Sequence, residues 1–334
     1  MWFRTSAGGT NNLCKTPRIQ FWVILAALVL LLPLSGAAQS PEPELRFSAE
    51  VPRGELLSVE VSAAGVSAVD LELSYADGRR RWAEAWRSPT PREGDSETWI
   101  ALLGVPSTAE TGPADLSLTF SMEDGSSFGL VRRFEVVDRE FRAERIALST
   151  AMTDLRSSDD PRKAEQSRIL WELLHVFDPE ALYHGGAFSV PVAEARRTSY
   201  FGDRRLFAYS DGGEANAIHN GLDLAAPTGT PVWAPARGRV VMAQDRILTG
   251  YTIVLEHLPG VFSMYYHLDQ ISVEEGTVVN VGDSIGTVGS TGLSTGPHLH
   301  WEIRASGVAV DPQKLLERPL VDIPGFARAL STSP

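Results

Sequence analysis

The sequence predicts a mainly β protein with an N-terminal β-sandwich, a short helical linker and a C-terminal antiparallel β domain. Apolar residues alternate with polar ones between residues 44 and 138, change to helical spacing within 139–186, and return to short glycine-bounded runs from residue 187. Period two buries one face of a strand, whereas a period near 3.6 buries one face of a helix. With 334 residues and 43% hydrophobic content, the chain can form two modest cores.

Residues 1–38 have the pattern of an export signal. Three basic residues precede an apolar run, Phe21–Leu34, and the small residues 35–38 follow it. This order predicts a cleaved signal peptide, with Gln39 as the first residue of the mature protein. The alternative is an uncleaved anchor, which the run of fourteen residues disfavours because a bilayer span needs roughly 20. We therefore expect an exported protein of the periplasm or cell envelope, without a stable transmembrane anchor once the signal is cleaved.

Composition excludes several classes of function for the mature chain. Cys14, the single cysteine, lies inside the predicted signal, so disulfides and cysteine catalysis would play no part. The formal net charge is −12, and removing the three cations of the signal leaves 27 basic against 42 acidic side chains, or −15. Such a charge argues against nucleic-acid binding and against polybasic attachment to a membrane. For an exported protein, a metal ion is then the favoured cofactor.

Residues 44–138 read as a small Ig-like β-sandwich. Leu57, Val59 and Val61 alternate with polar residues, and the same pattern recurs in Val69–Tyr75 and Leu116–Phe120. Repeated short strands separated by turns are typical of sandwiches. The region contains no catalytic constellation, so we expect a spacer or docking module, with a cell-wall or division protein as its candidate partner.

Residues 139–186 are predicted to be a helical linker. Asp160 followed by Pro161 indicates a helix start, because aspartate caps the first turn and proline suits its first position. Asp178-Pro179 is the predicted end. One apolar stripe is expected to pack against a neighbouring domain, and it comprises Ile169, Leu170, Leu173, Leu174 and Val176. We expect His175 and His184 to be surface or packing residues.

Residues 187–318 form the predicted C-terminal domain, and residues 319–334 a C-terminal tail. Glycine-bounded apolar runs predict short strands at Arg239–Ala243, Tyr251–Glu256, Phe262–Leu268, Ser284–Val288 and His298–Ile303. No stretch between these strands is long enough for a crossover helix, so the sheet should be antiparallel.

Two short motifs in this domain suggest a metal site. Five of the seven histidines lie between residues 219 and 300. His219-Asn-Gly-Leu-Asp223 offers an imidazole and a carboxylate, and the His298-Leu-His300 pair offers a further imidazole; these are ligands that Zn²⁺ accepts. Residues two apart share one face of a strand, so one histidine of the pair can bind metal while the other stands near a substrate. His267 lies between the motifs. No His-Glu-x-x-His motif occurs in the chain, so acid–base work at such a site would fall to histidine.

Three segments together resemble a known family. The run from His219 to Val232, the triplet Tyr266-His267-Leu268 and the stretch Gly289–Ile303 are similar to the LytM/lysostaphin-type zinc endopeptidases of bacterial cell walls. The resemblance covers about residues 196–315. It implies a duplicated hybrid motif fold, which is a compact antiparallel β domain with a groove, and it leaves the sandwich unexplained.

The resemblance also implies a role for each residue. His219, Asp223 and His300 would bind one Zn²⁺ per chain, and His267 and His298 would be the catalytic histidines. Which of these two is the general base stays open. Zinc would activate a water molecule and polarise the scissile carbonyl, and the two histidines would transfer protons or stabilise the oxyanion.

The function that follows is an exported zinc metalloendopeptidase that hydrolyses stem or cross-bridge peptides of peptidoglycan. One alternative is a non-catalytic LytM-like regulator that activates a separate cell-wall hydrolase, although such relatives typically lack ligands or catalytic histidines. A second alternative is a wall-binding structural protein that acts through its sandwich. Since all five site residues follow residue 218, a fragment that begins near Ala187 is expected to contain a complete site.

Overall fold

The computed structural model describes residues 42–90 and 96–331. The predicted signal peptide of residues 1–38 lies outside these ranges. Among the described residues, no helix has both the length and the apolar composition that crossing a bilayer requires.

The N-terminal region folds as two β-sheets around one hydrophobic core. Leu57, Val59 and Val61 are buried, whereas the polar residues between them are half-buried, as period-two alternation predicts. The strands described in this region are β1 (Glu44–Arg46), β2 (Glu50–Pro52), β3 (Leu56–Ala63), β4 (Val66–Ser74), β5 (Arg80–Glu84), β6 (Trp86–Arg87), β7 (Glu97–Gly104), β8 (Gly112–Met122) and β9 (Ser127–Val137).

One sheet has the order β1-β3-β7-β6 and the other β2-β9-β8-β4-β5. Neighbouring strands are antiparallel except β2, which runs parallel to β9. Buried side chains of both sheets form one cluster, with Leu57 from the first sheet and Phe120 from the second. The prediction of a β-rich N-terminal region is confirmed.

Residues 139–186 contain a strand as well as helices. The elements are β10 (Ala143–Ala147), α1 (Thr150–Ser157) and α2 (Pro161–Leu173). Helix α2 begins as predicted, because the side chain of Asp160 accepts a hydrogen bond from the backbone N of Arg162 at 2.9 Å. It ends at Leu173 rather than at Asp178-Pro179, since the following residues form tight turns in which the N–H of Val176 donates to Leu173 O.

The apolar face of α2 is narrower than predicted. Leu170, Leu173 and the buried Leu174 pack against a cluster on the C-terminal sheet that includes Phe262 and Met264. The other two members of the predicted stripe are exposed, Ile169 by 37% and Val176 by 51%. Ile169 lies beside this face on the helix, and Val176 follows the helix end and so does not continue its periodicity.

The C-terminal region contains one large sheet and most of a smaller one. Its strands are β11 (Arg196–Ser199), β12 (Arg204–Ala208), β13 (Glu214–Ile218), β14 (Gly221–Ala225), β15 (Pro231–Trp233), β16 (Gly238–Arg246), β17 (Gly250–Leu258), β18 (Val261–Ile271), β19 (Val278–Val279), β20 (Ser284–Val288), β21 (His298–Ala305) and β22 (Val308–Val310), followed by α3 (Pro312–Glu317) and α4 (Phe326–Ser331). The large sheet follows the order β11-β14-β21-β18-β17-β16-β19, with β15, β20 and β22 attached. Its described pairings are antiparallel, as expected.

A second, three-stranded sheet joins the linker to this domain. Its order is β10-β12-β13, and β10 runs parallel to β12 from the pair Ala143–Arg204 to the pair Ala147–Ala208. Parallel neighbours need a long connection, and here α1 and α2 lie within it. Strand β10 is therefore part of the C-terminal fold, although the sequence places it in the helical linker.

The core of the C-terminal region includes residues from the N-terminal strands and from helix α4. Trp86, Ile100 and Leu102 of the N-terminal strands share a hydrophobic cluster with Trp301. Phe326 and Leu330 of α4 belong to the same cluster, so the segment predicted as a tail contributes to the core. The N-terminal sheets and the C-terminal sheet are consequently not separable without exposing apolar surface.

Candidate metal centre

Two neighbouring strands bring together the three residues that were expected to bind a metal. Asp223 on β14 lies directly opposite His300 on β21 in the antiparallel register. His219 follows the end of β13 and reaches the same point across Gly221, whose lack of a side chain leaves room for the ring of His300. All three side chains are buried, with relative exposures between 2% and 8%. The fold therefore places an imidazole, a carboxylate and a second imidazole at one point inside the domain.

The three candidate ligand atoms are almost equidistant. His219 Nε2 lies 3.0 Å from Asp223 Oδ1 and 2.9 Å from His300 Nδ1, and His300 Nδ1 lies 3.0 Å from Asp223 Oδ1. Three such atoms bound to one zinc ion at about 2.0–2.2 Å in a tetrahedral arrangement are separated by similar distances. The residues present fit a zinc ion.

The remaining nitrogen of each imidazole has an acceptor as its partner. His219 Nδ1 donates to the carbonyl oxygen of Tyr200 at 2.8 Å, and His300 Nε2 lies 3.4 Å from Glu302 Oε2. These contacts favour a proton on the outer nitrogen, so each ring turns a lone pair toward the common point. Such outer contacts fix the tautomer and orientation of histidine ligands in metal proteins. Three electron-pair donors that face one another are stabilised by a cation between them.

The charges around this point favour a cation. Burial alone raises the pKa of Asp223, but its hydrogen bonds with His219 and His300 hold that pKa well below its usual range. Burial lowers the pKa of His219. Burial also acts to lower the pKa of His300, but contacts with Asp223 and Glu302 outweigh it and raise the pKa to about 9. Without a metal, a proton on His300 supplies the positive charge that this acidic pocket stabilises.

A backbone irregularity determines the position of His267. Strand β18 changes register at this point, and His267 has a φ of 63°, a left-handed conformation that is uncommon for residues other than glycine. The His267 N–H donates to Thr249 O at 2.8 Å, and its Nδ1 donates to Thr291 O at 2.7 Å. The ring lies 4.9 Å from that of His298, centroid to centroid. Burial, followed by the nearby His298 and His300, lowers the pKa of His267 to about 3, so its Nε2 is a free acceptor at neutral pH.

His298 lies beside His267 and lines the same groove. Its Nδ1 donates to Gly296 O at 2.8 Å, and its Nε2 lies 3.7 Å from Asp223 Oδ1. His267, His298, Asp223 and His300 all line a groove with a volume of about 400 Å³. The structure thus brings all five predicted site residues together, three around one point and two beside it at the groove.

Several residues of the site were not predicted. Arg205 on β12 donates from Nη2 to Asp223 Oδ2 at 2.6 Å, and Glu144 on β10 forms an ion pair with the same guanidinium. Neither belongs to a motif, and they are 61 positions apart. Glu302 did have a signal, because it continues the period-two series of His298 and His300 along one face of β21.

His175, His184 and His257 are not among the residues that line this groove. His257 is fully buried. Its Nδ1 donates to Arg237 O, and its Nε2 accepts from Ser263 Oγ at 2.7 Å. His184 packs edge-on against Phe188, and His175 contacts Trp171. These contacts are structural.

His219, Asp223 and His300 form a group that can hold a metal ion, and two further histidines line the adjoining groove. Comparison with known proteins adds to this finding. Residues 217–312 match the model of Peptidase family M23, a segment that holds all three candidate ligands and both groove histidines. The match covers 96 of the 334 residues, so the similarity to this family concerns this segment of the chain.

Curated proteins also match part of the chain, and two of them are described here. The DD-carboxypeptidase/endopeptidase Mpg of Neisseria meningitidis serogroup B is 40% identical over 139 residues, which is 40% of this chain and 30% of the relative. The peptidoglycan DD-endopeptidase ShyA of Vibrio cholerae is 40% identical over 119 residues, which is 36% of this chain and 27% of that protein. The match thus spans less than one third of either relative.

A solved structure matches more of the chain. The crystal structure of a candidate M23 peptidase from Pseudomonas aeruginosa is 25% identical, with a TM-score of 0.54, and the match covers 79% of this chain and 93% of that one. The likeness therefore extends beyond the matched family segment to the greater part of the described residues.

Proposed function

We propose that this protein is an exported zinc-dependent endopeptidase that hydrolyses peptide cross-links of bacterial peptidoglycan. The observation that carries the proposal is the complete set of five side chains: three buried electron-pair donors converge to within 3.0 Å of one another, and two further histidines face the same groove. A protein that only binds a partner has no need of free imidazole nitrogens beside a metal site. The names of the relatives, which are DD-endopeptidases, favour the D,D cross-link as the bond.

In this proposal His219, Asp223 and His300 hold one Zn²⁺ per chain. Zinc bound there would supply an activated water at neutral pH and a Lewis acid for the scissile carbonyl. The rest of the chemistry falls to His267 and His298, whose Nε2 atoms are free because each Nδ1 donates to a backbone carbonyl. One of them would accept the proton of the attacking water, and the other would stabilise the oxyanion or protonate the leaving amine.

The groove suits an extended peptide. Its lining includes residues of strands β10, β11 and β12 and of the loop 293–297. The N-terminal Ig-like sandwich of residues 44–138 would serve as a support or docking module, the linker of 139–186 would complete the groove, and the export signal would deliver the chain to the periplasm or envelope.

The deciding experiment is digestion of purified sacculi with the zinc-loaded protein, with the products identified by mass. Conversion of cross-linked dimers to monomers and new free amino groups are expected, and a zinc chelator should abolish both. The length of the glycan strands should stay unchanged. New reducing sugar ends that persist in chelator would exclude an endopeptidase. A zinc-loaded but inert protein that stimulates a separate wall hydrolase would instead establish the regulator alternative.

His267→Ala and His298→Ala provide the matched variants. Both should keep zinc and lose hydrolysis by a factor of at least about 10², the usual scale for a lost acid–base group. Asp223→Ala and His300→Ala should lose zinc and hydrolysis together.

A further inference from the structure

Strand β10, upstream of the matched family segment, contributes a charged residue to the metal centre. Glu144 on this strand forms an ion pair with Nε of Arg205, and Arg205 Nη2 donates to Asp223 Oδ2 at 2.6 Å. The side chains of Arg205 and Asp223 are only 14% and 9% exposed. A single guanidinium thus bridges two carboxylates, one in the linker and one among the candidate ligands.

The bridge determines which oxygen of Asp223 faces the metal point. Oδ1 lies 3.0 Å from both His219 Nε2 and His300 Nδ1, while Oδ2 is occupied by Arg205. A carboxylate without the second contact could rotate about its terminal bond and bring either oxygen, or both, toward the cation. Contacts of this kind around a ligand orient it and affect metal affinity.

Charge explains why the guanidinium needs Glu144. Arg205 carries a positive charge within a few ångströms of a point that is to hold a divalent cation, and two like charges in a buried site repel each other. Glu144 offsets this charge through its contact with Nε, so Asp223 remains a strong donor. The two residues therefore act as a pair, and Arg205 alone would oppose the ion that it helps to position.

We propose that Arg205 and Glu144 are positioning residues that fix Asp223 for metal binding, so that the metal affinity of the M23 domain depends on a strand from the preceding segment. The proposal rests on the role of Asp223 as a ligand in the proposed function, and it is independent of the substrate. Zinc affinity and hydrolysis are measured separately. Failure of this proposal is therefore distinguishable from failure of the proposed function.

The test is the zinc dissociation constant of the full chain, obtained by competition with a chelating dye. R205Q and E144Q should each weaken zinc binding by about 10–100-fold. The double variant should resemble R205Q alone, because Glu144 acts through the guanidinium. The control is R145Q, which breaks the 2.7 Å ion pair between Arg145 of the same strand and Glu214, and which should bind zinc as the wild type does.

Unfolding of the metal-free variants in denaturant separates positioning from folding. The proposal is supported if R205Q and E144Q bind zinc more weakly than R145Q does, while all three metal-free variants have the same unfolding free energy. Zinc dissociation constants within twofold of the wild type for both variants would overturn it, even if the protein hydrolyses sacculi. Equal losses of zinc affinity in R145Q would also overturn it, because they would show that any damage to this sheet has the same effect.

Discussion

Replacing Gly221 by alanine should impair metal binding more than it impairs the fold. A Cβ at this position would lie 2.9 Å from His300 Nε2 and closer still to the backbone oxygen of Trp301. Ordinary contact begins at 3.4 Å, so the His300 ring and β14 would have to separate by at least about 0.5 Å. Zinc sites tolerate ligand displacements of only about 0.2 Å. The displaced atoms include one ligand side chain and the strand that carries Asp223, so the convergence of the ligands would be lost.

The expected magnitudes differ for the two properties. Overpacking of this kind costs about 1–3 kcal/mol of unfolding free energy, whereas zinc binding should weaken by at least about 10-fold. Denaturant unfolding of the metal-free protein measures the unfolding free energy, and competition with a chelating dye measures zinc binding. Gly129→Ala is the matched control, because this glycine also lies in a strand but its Cβ would meet only Leu118 O at 3.8 Å. Wild-type zinc affinity in Gly221→Ala would refute the argument that this glycine maintains the ligand geometry.

Three further predictions concern catalysis, truncation and pH. His298→Ala should retain zinc and lose hydrolysis by at least about 10², while His300→Ala loses both; zinc analysis together with sacculus digestion will show whether the roles are reversed. A fragment beginning at Ala187 should bind zinc more weakly than the full chain and unfold more easily, because it lacks β10 and the N-terminal core residues; equal affinity in the same dye competition would contradict this. Burial lowers the pKa of His257 to about 3, so below pH 6.5 the unfolded chain takes up a proton that the folded chain refuses. The unfolding free energy of the metal-free protein should therefore fall with decreasing pH, by up to about 1.4 kcal/mol per unit for this residue, and His257→Gln should make the dependence shallower between pH 6 and 4.

The expectation for the truncated fragment reverses the one drawn from the sequence. All five site residues do follow residue 218, so a count of functional residues makes the fragment complete. The structure adds two dependences that such a count omits, the ion pair of Glu144 with Arg205 and the burial of Trp86 and Ile100 in the C-terminal core. Both join residues that are far apart in the chain, and neither belongs to a motif.

Local rules did predict much of the fold and the relation between His298 and His300. Period-two alternation identified strands of the N-terminal region, and glycine-bounded apolar runs identified strands of the C-terminal region. The two-residue spacing placed these two histidines on one face of β21, where Glu302 follows them. The start of α2 was predictable because a capping aspartate and a proline act within one helical turn. Each of these inferences uses residues within a few positions of one another.

The position of His267 could not be predicted in this way. A regular strand would point it away from its neighbour Tyr266, onto the opposite face. The change of register in β18 and the positive φ of His267 alter its direction, and backbone contacts with Thr249 and Thr291 hold it. Such a conformation costs free energy that the surrounding structure must offset, and the sequence near residue 267 contains no glycine to indicate it.

The candidate metal centre lies where the large sheet meets the three-stranded sheet that includes β13. The large sheet supplies Asp223 and His300 in fixed register, the end of β13 supplies His219, and the three-stranded sheet supplies Arg205. Because β10 completes that smaller sheet, its Glu144 links the ligand carboxylate to the linker. A disturbance of the linker can therefore change metal affinity without touching a ligand, since it alters the charge and orientation of the guanidinium behind Asp223.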